Sequence, residues 1–514
     1  MAVSNGGGGT ARVAVSDAPS VAAALLPEAD RREIQGMITT GWGHLPRAGF
    51  VFLRLGEPQR GRDWLQTILP QVTTAAPWTK DESGAKLRPE SVLNVAFSYA
   101  GLERLGLPEE GLATFPTEYA VGMPARAAIL GDHGESAPSR WQFGGSETEP
   151  LHAALVVYAT DEGTLDQRLE ELRADIASHD LEEVRVERGA RHDRSREHFG
   201  FANDGISQPG IEGVRSEDVP GPYVVRTGEM ILGHLNERDV YPVSPAVAAR
   251  HDPKGLLPEF PGGALPDCRD LGRNGSFLVY RKLEQDVAGF WRFLQAHCSA
   301  AGSGRTRLEH EMVELASKFM GRWPTGAPLV LSPDSDDPSL AEANDFMYRA
   351  DDPTGLSCPI GAHIRRANPR DSQLHISDTP DESMRATNQH RIIRRGIPYG
   401  PFLYPEREIE LGNAPVDLEG DGEERGLHFF ALNVNTKLQF EFVQQTWIDN
   451  AQFCGLFDEK DPIVGDNDGT RGMTIQRLPV RDAVRGIPRF VHVRAGGYFF
   501  LPGGSALRYL AELG

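Results

Sequence analysis

The fold is decided by LHAALVVYAT (151–160), LDQRLEELRADIASH (165–179) and EEVRVERGAR (182–191), three segments that follow one another with little chain between them. Their apolar periods predict a strand, a helix and a second strand. A strand-helix-strand unit of this kind is typical of folds in which helices cover one face of a sheet. The remaining elements are predicted from their apolar periods in the same way.

The segments around this unit continue the alternation of strands and helices. In the first half we predict a strand at 47–56, a helix at 61–72 and a strand running into a helix over 91–108; in the second half, strands at 275–283 and 426–435, helices at 284–297, 306–320 and 436–447, and a closing hairpin-like segment at 489–503. This order is close to a ferredoxin-like α+β layer. We therefore predict a flexible segment 1–33 and two α+β domains, 34–210 and 211–514, divided at a stretch rich in Gly and Pro.

Composition excludes several classes of protein. The formal net charge is -20, which argues against nucleic acid or anionic lipid as the main partner. No run approaches the roughly 18 apolar residues that a membrane helix needs, and the N-terminus lacks the features of a secretory signal, so we expect a cytoplasmic protein. The cysteines are far apart and form no CxxC pair, which predicts neither a zinc site nor a disulfide framework.

One histidine stands in an unusually basic loop, CPIGAHIRRANPRD (358–371). His363 is followed there by Arg365, Arg366 and Arg370. Histidine is a common axial ligand of haem iron, and arginines pair well with haem propionates. A solvated histidine in a basic loop fits the same residues, so both interpretations stay open at this point.

Three further segments contain candidate catalytic groups. Asp204 lies in HFGFANDGISQP (198–209), where it is either part of an Asp-Gly turn or a carboxylate above an open metal position. Arg394 lies in RIIRRGIPYG (391–400), which is either a solvated basic face or a source of positive charge for a reacting oxygen. Glu441 is flanked by two phenylalanines; if buried it needs a partner such as an imidazole N–H, and otherwise it lies at a helix edge.

Taken together and in this order, these segments resemble the dye-decolorising peroxidase family. The matching stretches are FGFANDGISQP (199–209), NGSFLVYRKLEQDVAGFWRFL (274–294), MGRWPTGAPLVLSP (320–333), HIRRANPRD (363–371), RRGIPYG (394–400), LNVNTKLQFEFVQQTWIDN (432–450) and YFFLPG (498–503). The resemblance covers roughly residues 34–514 and is strongest with the larger, highly active bacterial and fungal branch. It implies two ferredoxin-like domains with antiparallel β-sheets flanked by helices, and a haem b cavity in the C-terminal domain.

The resemblance also implies roles for the candidate residues. His363 resembles the proximal iron ligand, Asp204 the distal catalytic aspartate and Arg394 the distal arginine. Glu441 is the candidate acceptor of the proximal imidazole N–H. Arg365 and Arg370 are candidates for contacts with the haem propionates.

The implied function is a peroxidase that reduces hydrogen peroxide and oxidises dyes, phenols and other bulky aromatic donors, fastest at acidic pH. One feature departs from the family pattern: three residues, not two, separate Gly200 from the Asp204-Gly205 pair. That departure puts the aim of Asp204 in doubt. It leaves two alternatives open, a haem carrier or sensor of the same fold with little turnover, and a haem-free protein in which the basic loop binds an acidic ligand.

Overall fold

The computed structural model describes residues 25–81, 83–191, 196–202, 208–214, 223–298, 304–373, 379–405 and 408–513. The strands in these ranges are β1 (Arg47–Arg54), β2 (Ser91–Phe97), β3 (Ala153–Ala159), β4 (Glu182–Ala190), β5 (Gly210–Ile211), β6 (Val224–Val225), β7 (Ala246–Ala248), β8 (Cys268–Asp270), β9 (Ser276–Gln285), β10 (Ile393–Arg394), β11 (Ile397–Tyr399), β12 (Gly426–Asn433), β13 (Gly472–Ile475), β14 (Asp482–Arg485) and β15 (Val491–Leu501). The α-helices are α1 (Glu28–Glu33), α2 (Gly36–Thr39), α3 (Pro58–Ile68), α4 (Tyr99–Leu105), α5 (Glu109–Leu112), α6 (Thr117–Val121), α7 (Ala127–Leu130), α8 (Glu162–Ser178), α9 (Val287–Cys298), α10 (Arg305–Met320), α11 (Tyr348–Asp351), α12 (His363–Ala367), α13 (Pro380–Asn388) and α14 (Gly504–Ala511).

Helix α8 forms for reasons visible in its sequence. Asp161 caps its first turn by accepting a hydrogen bond from the Thr164 N–H at 2.9 Å. The buried residues Leu165, Leu169, Leu172 and Ile176 recur at helical spacing. This apolar face packs on β1 at Gly49, where an added Cβ would lie 3.0 Å from the Leu169 side chain. The close approach explains why β1 carries a glycine at that position.

The two halves of the chain have the same strand order. In the first half β1 pairs with β3 and β4, and β2 with β3, which gives the antiparallel order β4-β1-β3-β2. In the second half β9 pairs with β15 and β12, and β11 with β12, which gives β15-β9-β12-β11. Both are the ferredoxin-like order 4-1-3-2, so the predicted fold class is confirmed.

The two halves share one sheet that closes on itself. At one junction β15 pairs with β2 through Phe500 and Phe97. At the other junction, β4 packs closely against β11. A Cβ added to Gly189 of β4 would lie only 2.5 Å from the Ile397 side chain of β11. The interior of this barrel is filled by side chains from both halves, among them Phe50, Phe52, Tyr158, Tyr280, Phe430 and Phe499. The predicted division at 210/211 stays a prediction, since this sheet runs across it.

Two predicted elements differ from the structure. The segment 489–503 is no hairpin; β15 is one continuous strand and leads into α14. The predicted helix 436–447 is present as two π-helical stretches, Lys437–Glu441 and Val443–Ile448. In the first of them the Glu441 N–H donates to the carbonyl of Thr436, five residues back, at 2.9 Å.

Among the described residues, no helix combines the length and the apolar character that crossing a membrane requires.

Candidate functional site

A cavity of about 1270 Å³ lies on the outer face of the second-half sheet. It exceeds the ~300–1,000 Å³ of ordinary small-molecule pockets. Alternate residues of the sheet strands form its floor: Arg281 and Leu283 of β9, Leu427 and Phe429 of β12, Val491 and Val493 of β15. The first half also contributes to the wall through Leu130 and Asp132. The cavity is therefore large enough for a flat macrocyclic cofactor and is built from both halves of the chain.

His363 lies at the first position of α12 and lines this cavity. Its Nδ1 is 2.9 Å from Oδ2 of Asp461, a fully buried carboxylate. An ionised carboxylate only accepts hydrogen bonds, so Nδ1 carries the proton and Nε2 keeps a free lone pair. A metal-ligating histidine is oriented in this way by a carboxylate behind it.

Asp461 is itself held rigidly. Its Oδ1 accepts hydrogen bonds from the N–H groups of Ile463 and Val464, each at 2.9 Å. Burial by itself would raise the pKa of Asp461, but the neighbouring His363 and these backbone donors outweigh it and lower the pKa below its usual range. The carboxylate therefore stays ionised in moderately acidic solution and keeps His363 in one orientation.

Arg366 fixes α12 to the segment that carries Asp461. Its fully buried guanidinium donates to the carbonyls of Trp447 at 2.8 Å, Asn450 at 3.1 Å and Glu459 at 2.7 Å. The bond to Glu459 matters most, because Glu459 lies two residues before Asp461. Arg366 therefore holds the histidine and its carboxylate partner in register.

The prediction that Glu441 accepts the imidazole N–H is wrong. Glu441 is buried, which settles one of the two open interpretations, but its carboxylate pairs with Arg126 at 2.8 and 2.7 Å and accepts from the Tyr498 hydroxyl at 3.0 Å. Arg126 lies between β2 and β3 in the first half of the chain, so its ion pair with Glu441 links the two halves. The carboxylate partner of His363 is Asp461, which sequence reasoning missed.

Arg394 lies on β10 and lines the cavity. Its backbone N–H donates to the Gln208 side chain at 2.9 Å, and β12 pairs with it through Ala431. Burial lowers the pKa of the guanidinium, and no carboxylate of the described residues lies within ion-pair distance of it. A partly buried cation placed in this way is available to oxygen atoms inside the cavity.

The two predicted propionate partners behave differently. Arg365 does not line the cavity; its guanidinium pairs with Asp352 at 3.2 Å and donates to the Cys358 carbonyl at 2.9 Å. The prediction for Arg365 is therefore wrong. Arg370 does line the cavity, but its guanidinium donates to Phe346 O at 2.9 Å and lies 3.9 Å from the centre of the Phe346 ring. These bonds anchor Arg370 in the wall, and its contact with a propionate stays a prediction.

Asp204 lies outside the described residues. The chain on both sides of it lines the cavity, at Ala202 before it and Gln208 after it. Gly200 has a φ of 99°, and an added Cβ would lie 2.9 Å from the Tyr404 hydroxyl, so the turn requires glycine there. Phe201, the residue after that glycine, is 3% exposed and packs in the core of the second half.

One further carboxylate that lines the cavity, Glu197, was not predicted from the sequence. It accepts hydrogen bonds from the N–H groups of Phe199 at 3.0 Å and Phe201 at 3.2 Å, and from the Gln285 side chain at 2.8 Å. Burial raises its pKa against the effect of these donors. Glu197 thus fixes the turn that leads toward Asp204. Nothing in its local sequence, which is charged throughout, distinguishes it from a surface glutamate.

The donor set fits haem better than a bare metal ion. Among the described residues, no group of three or more His, Cys, Asp or Glu side chains could hold a metal. Iron in a porphyrin receives its equatorial nitrogens from the macrocycle and needs only an axial ligand from the protein. One oriented histidine in a large cavity with buried arginines provides that ligand and positive charge for the propionates.

Comparison with known proteins agrees with this geometry. Residues 33–192 match the family described as the DyP dimeric alpha+beta barrel domain. A dye-decolorising peroxidase of Auricularia auricula-judae is 30% identical over 510 residues, which cover 95% of this chain and 88% of that protein. A multifunctional dye peroxidase of an Amycolatopsis species is 30% identical over 490 residues, or 90% of this chain and 92% of that one.

A solved structure shares the whole architecture. A dye-decolorising peroxidase in complex with 2,6-dimethoxyphenol superposes with a TM-score of 0.73 at 28% identity, over 95% of this chain and 100% of that chain. The similarity thus extends across both halves of the chain. The chain belongs to the dye-decolorising peroxidase family and is a haem peroxidase that oxidises dyes and other aromatic compounds.

Proposed function

We propose that the cavity binds haem b with His363 as its axial iron ligand, and that hydrogen peroxide and bulky aromatic donors are the substrates. The observation that supports this most strongly is the hydrogen bond from His363 Nδ1 to Asp461 at 2.9 Å. It leaves Nε2 as a lone-pair donor inside the cavity. Bound haem supplies the redox chemistry of peroxide reduction, and the protein positions and tunes it.

Arg394 is proposed to stabilise negative charge on the departing peroxide oxygen. Arg394 lines the cavity, is partly buried and has no carboxylate partner among the described residues. A preorganised cation in a water-poor site costs no reorganisation when charge develops beside it. The β10 pairing and the bond to Gln208 keep the arginine in place.

Asp204 is proposed as the group that accepts the peroxide proton from one oxygen and returns it to the other. This role rests on the sequence resemblance and on the cavity-lining positions of Ala202 and Gln208 on either side of the aspartate. An aspartate titrates near ~3.9 and a histidine near ~6.5, so an aspartate keeps accepting protons at lower pH. We therefore propose that activity is greatest in acid, where Asp461 also remains ionised. A cytoplasmic location remains a prediction.

The test compares two histidines that both line the cavity, His363 and His390. His390 is a fair control because its Nδ1 already bonds to the Leu438 carbonyl at 2.5 Å and its ring stacks on Phe442. Purified His363→Ala and His390→Ala variants are titrated with hemin and followed by the Soret band. We expect His363→Ala to lose stoichiometric binding and His390→Ala to retain it. The opposite result would transfer the role of ligand to His390.

A further inference from the structure

Part of the cavity is lined by cationic and aromatic side chains from two loops of the first half and by Arg191, which follows β4. We call it the basic cleft and define it by Trp42, His44, Trp78, Lys86, Arg88 and Arg191. A hydrogen bond of 3.2 Å from His44 Nε2 to the Pro89 carbonyl ties the two loops together. The residues of the cleft and His363 line the same cavity.

The aromatic part of the cleft presents ring surface. Trp78 stacks on Trp42 with ring centres 6.3 Å apart, and His44 meets Trp78 edge-on at 5.4 Å. The Arg88 guanidinium lies 6.0 Å from the centre of the Trp78 ring. Trp78 is only partly buried, whereas Trp42 is 1% exposed. Such an arrangement offers stacking and cation–π contacts to a planar ligand.

The charge of the cleft is the reverse of that of the whole chain. Lys86, Arg88 and Arg191 form no ion pair with any carboxylate of the described residues. Arg191 is instead held by the Gly43 carbonyl at 3.0 Å. Burial and the positive charges of Arg88 and Arg191 lower the pKa of His44, against the effect of its bond to Pro89. In a protein of net charge -20 this is a local site for anions.

The backbone of the cleft is held in a conformation that its sequence does not favour. Trp42 has a φ of 51°, in the left-handed region that bulky residues rarely adopt. The Leu45 N–H donates to the Trp42 carbonyl at 2.8 Å and closes this turn. Arg395 lies beside the turn. A Cβ added to Gly41 would be 3.7 Å from the Arg395 guanidinium. Strain of this kind concentrates at binding sites.

We propose that the basic cleft binds aromatic electron donors that carry a sulfonate or carboxylate group, and so makes the enzyme prefer anionic over neutral donors. The ring stacks against Trp78 while Lys86, Arg88 and Arg191 attract the anionic group. The preference among donors rests on the proposed peroxidase function, but binding to the cleft does not. The two are therefore tested separately.

The first experiment measures binding without peroxide. Naphthalene-2-sulfonate is titrated into the resting protein by calorimetry, with wild type compared to a Lys86→Glu/Arg88→Glu variant. Both side chains are exposed, so the fold is expected to persist. The control is Arg481→Glu/Arg485→Glu, which also replaces two positive charges by two negative ones, at exposed positions outside the cavity. We expect binding about tenfold weaker in the cleft variant and unchanged in the control. Equal binding in all three proteins would overturn the proposal.

The second experiment measures preference during turnover. The kcat/KM of a sulfonated anthraquinone dye is compared with that of the neutral donor 2,6-dimethoxyphenol. In the cleft variant we expect a fall of about tenfold for the dye and less than about twofold for the phenol. Trp78→Leu should weaken both the binding of naphthalene-2-sulfonate and the turnover of the dye. An equal fall for both donors would refute a role in specificity. Intact binding in a protein without peroxidase activity would instead contradict only the proposed function.

Discussion

Replacing Asp461 with Asn tests how the protein prepares His363 as a ligand. Asn has the size of Asp, and its Oδ1 can still accept from the Ile463 and Val464 N–H groups. The atom facing His363 Nδ1 becomes an NH₂ donor, however. The imidazole then accepts at Nδ1 and carries its proton on Nε2, the nitrogen that has to bind iron.

The size of the effect follows from the bond that is lost. A buried hydrogen bond to a charged group contributes about 1.5–3 kcal/mol, which corresponds to roughly ten- to hundredfold in affinity. Loss of the partner of a metal-ligating histidine costs a similar ~10–100-fold. We therefore expect Asp461→Asn to weaken hemin binding by about ten- to hundredfold. We also expect the reduction potential of the haem to rise, because the imidazole becomes a poorer electron donor.

The assay combines a hemin titration with redox potentiometry of the Soret band. The matched control is Glu441→Gln, which makes the same chemical change in a buried carboxylate that contacts Arg126 and Tyr498 instead. The control should leave hemin affinity and potential unchanged, even where its melting temperature falls. If Glu441→Gln alters the haem and Asp461→Asn does not, the assignment of the imidazole partner is refuted.

Three further predictions concern charge and pH. Arg394→Leu should slow the first spectral change after mixing with peroxide by about 10²–10³-fold, which is at least as much as Asp204→Asn. Arg394→Lys keeps the positive charge and should have a smaller effect. An unchanged rate in Arg394→Leu would show that the arginine has only a structural role. Dye oxidation should be fastest at about pH 3–5, while the peroxide step alone stays fast at neutral pH; a parallel decline of both rates would refute the role of Asp204. Burial and the nearby Asp466 carboxylate raise the pKa of Asp449 to about 7. Because this folded-state pKa exceeds the unfolded value, its contribution to stability is present in acid and lost as pH rises toward 7. Asp449→Asn should therefore gain melting temperature relative to wild type as pH rises from about 4 to about 7, and a constant difference over this range would refute this.

The elements of the fold are predictable where one local period decides them. Helix α8 and the strands around it follow from leucine spacing and continuous apolar runs, and their bounds agree closely with the predicted segments. The course of β15 differs from the hairpin-like segment predicted at 489–503. The strand continues because β9 pairs along its whole length, a contact that the local sequence does not contain.

The site is less predictable, because its decisive contacts join distant parts of the chain. His363 and Asp461 are 98 positions apart, and Asp461 stands among several acidic residues with no distinguishing spacing. For Glu441 the sequence left a buried and a helix-edge position open, and neither interpretation identified Arg126 as its partner. Arg365 was expected at the cavity from its closeness to His363. Residues i and i+2 of a helix do not share a face, so Arg365 points away from His363 and pairs with Asp352.

Turnover of peroxide by haem bound in this cavity is visible in a single spectroscopic measurement. Hemin-loaded wild type is mixed with one equivalent of hydrogen peroxide at acidic pH, and 2,6-dimethoxyphenol is added afterwards, while the Soret band is recorded. We expect the band to change within the mixing experiment and to return to its resting position as the phenol is oxidised. A Soret band that neither peroxide nor phenol alters would identify a haem carrier and contradict the account.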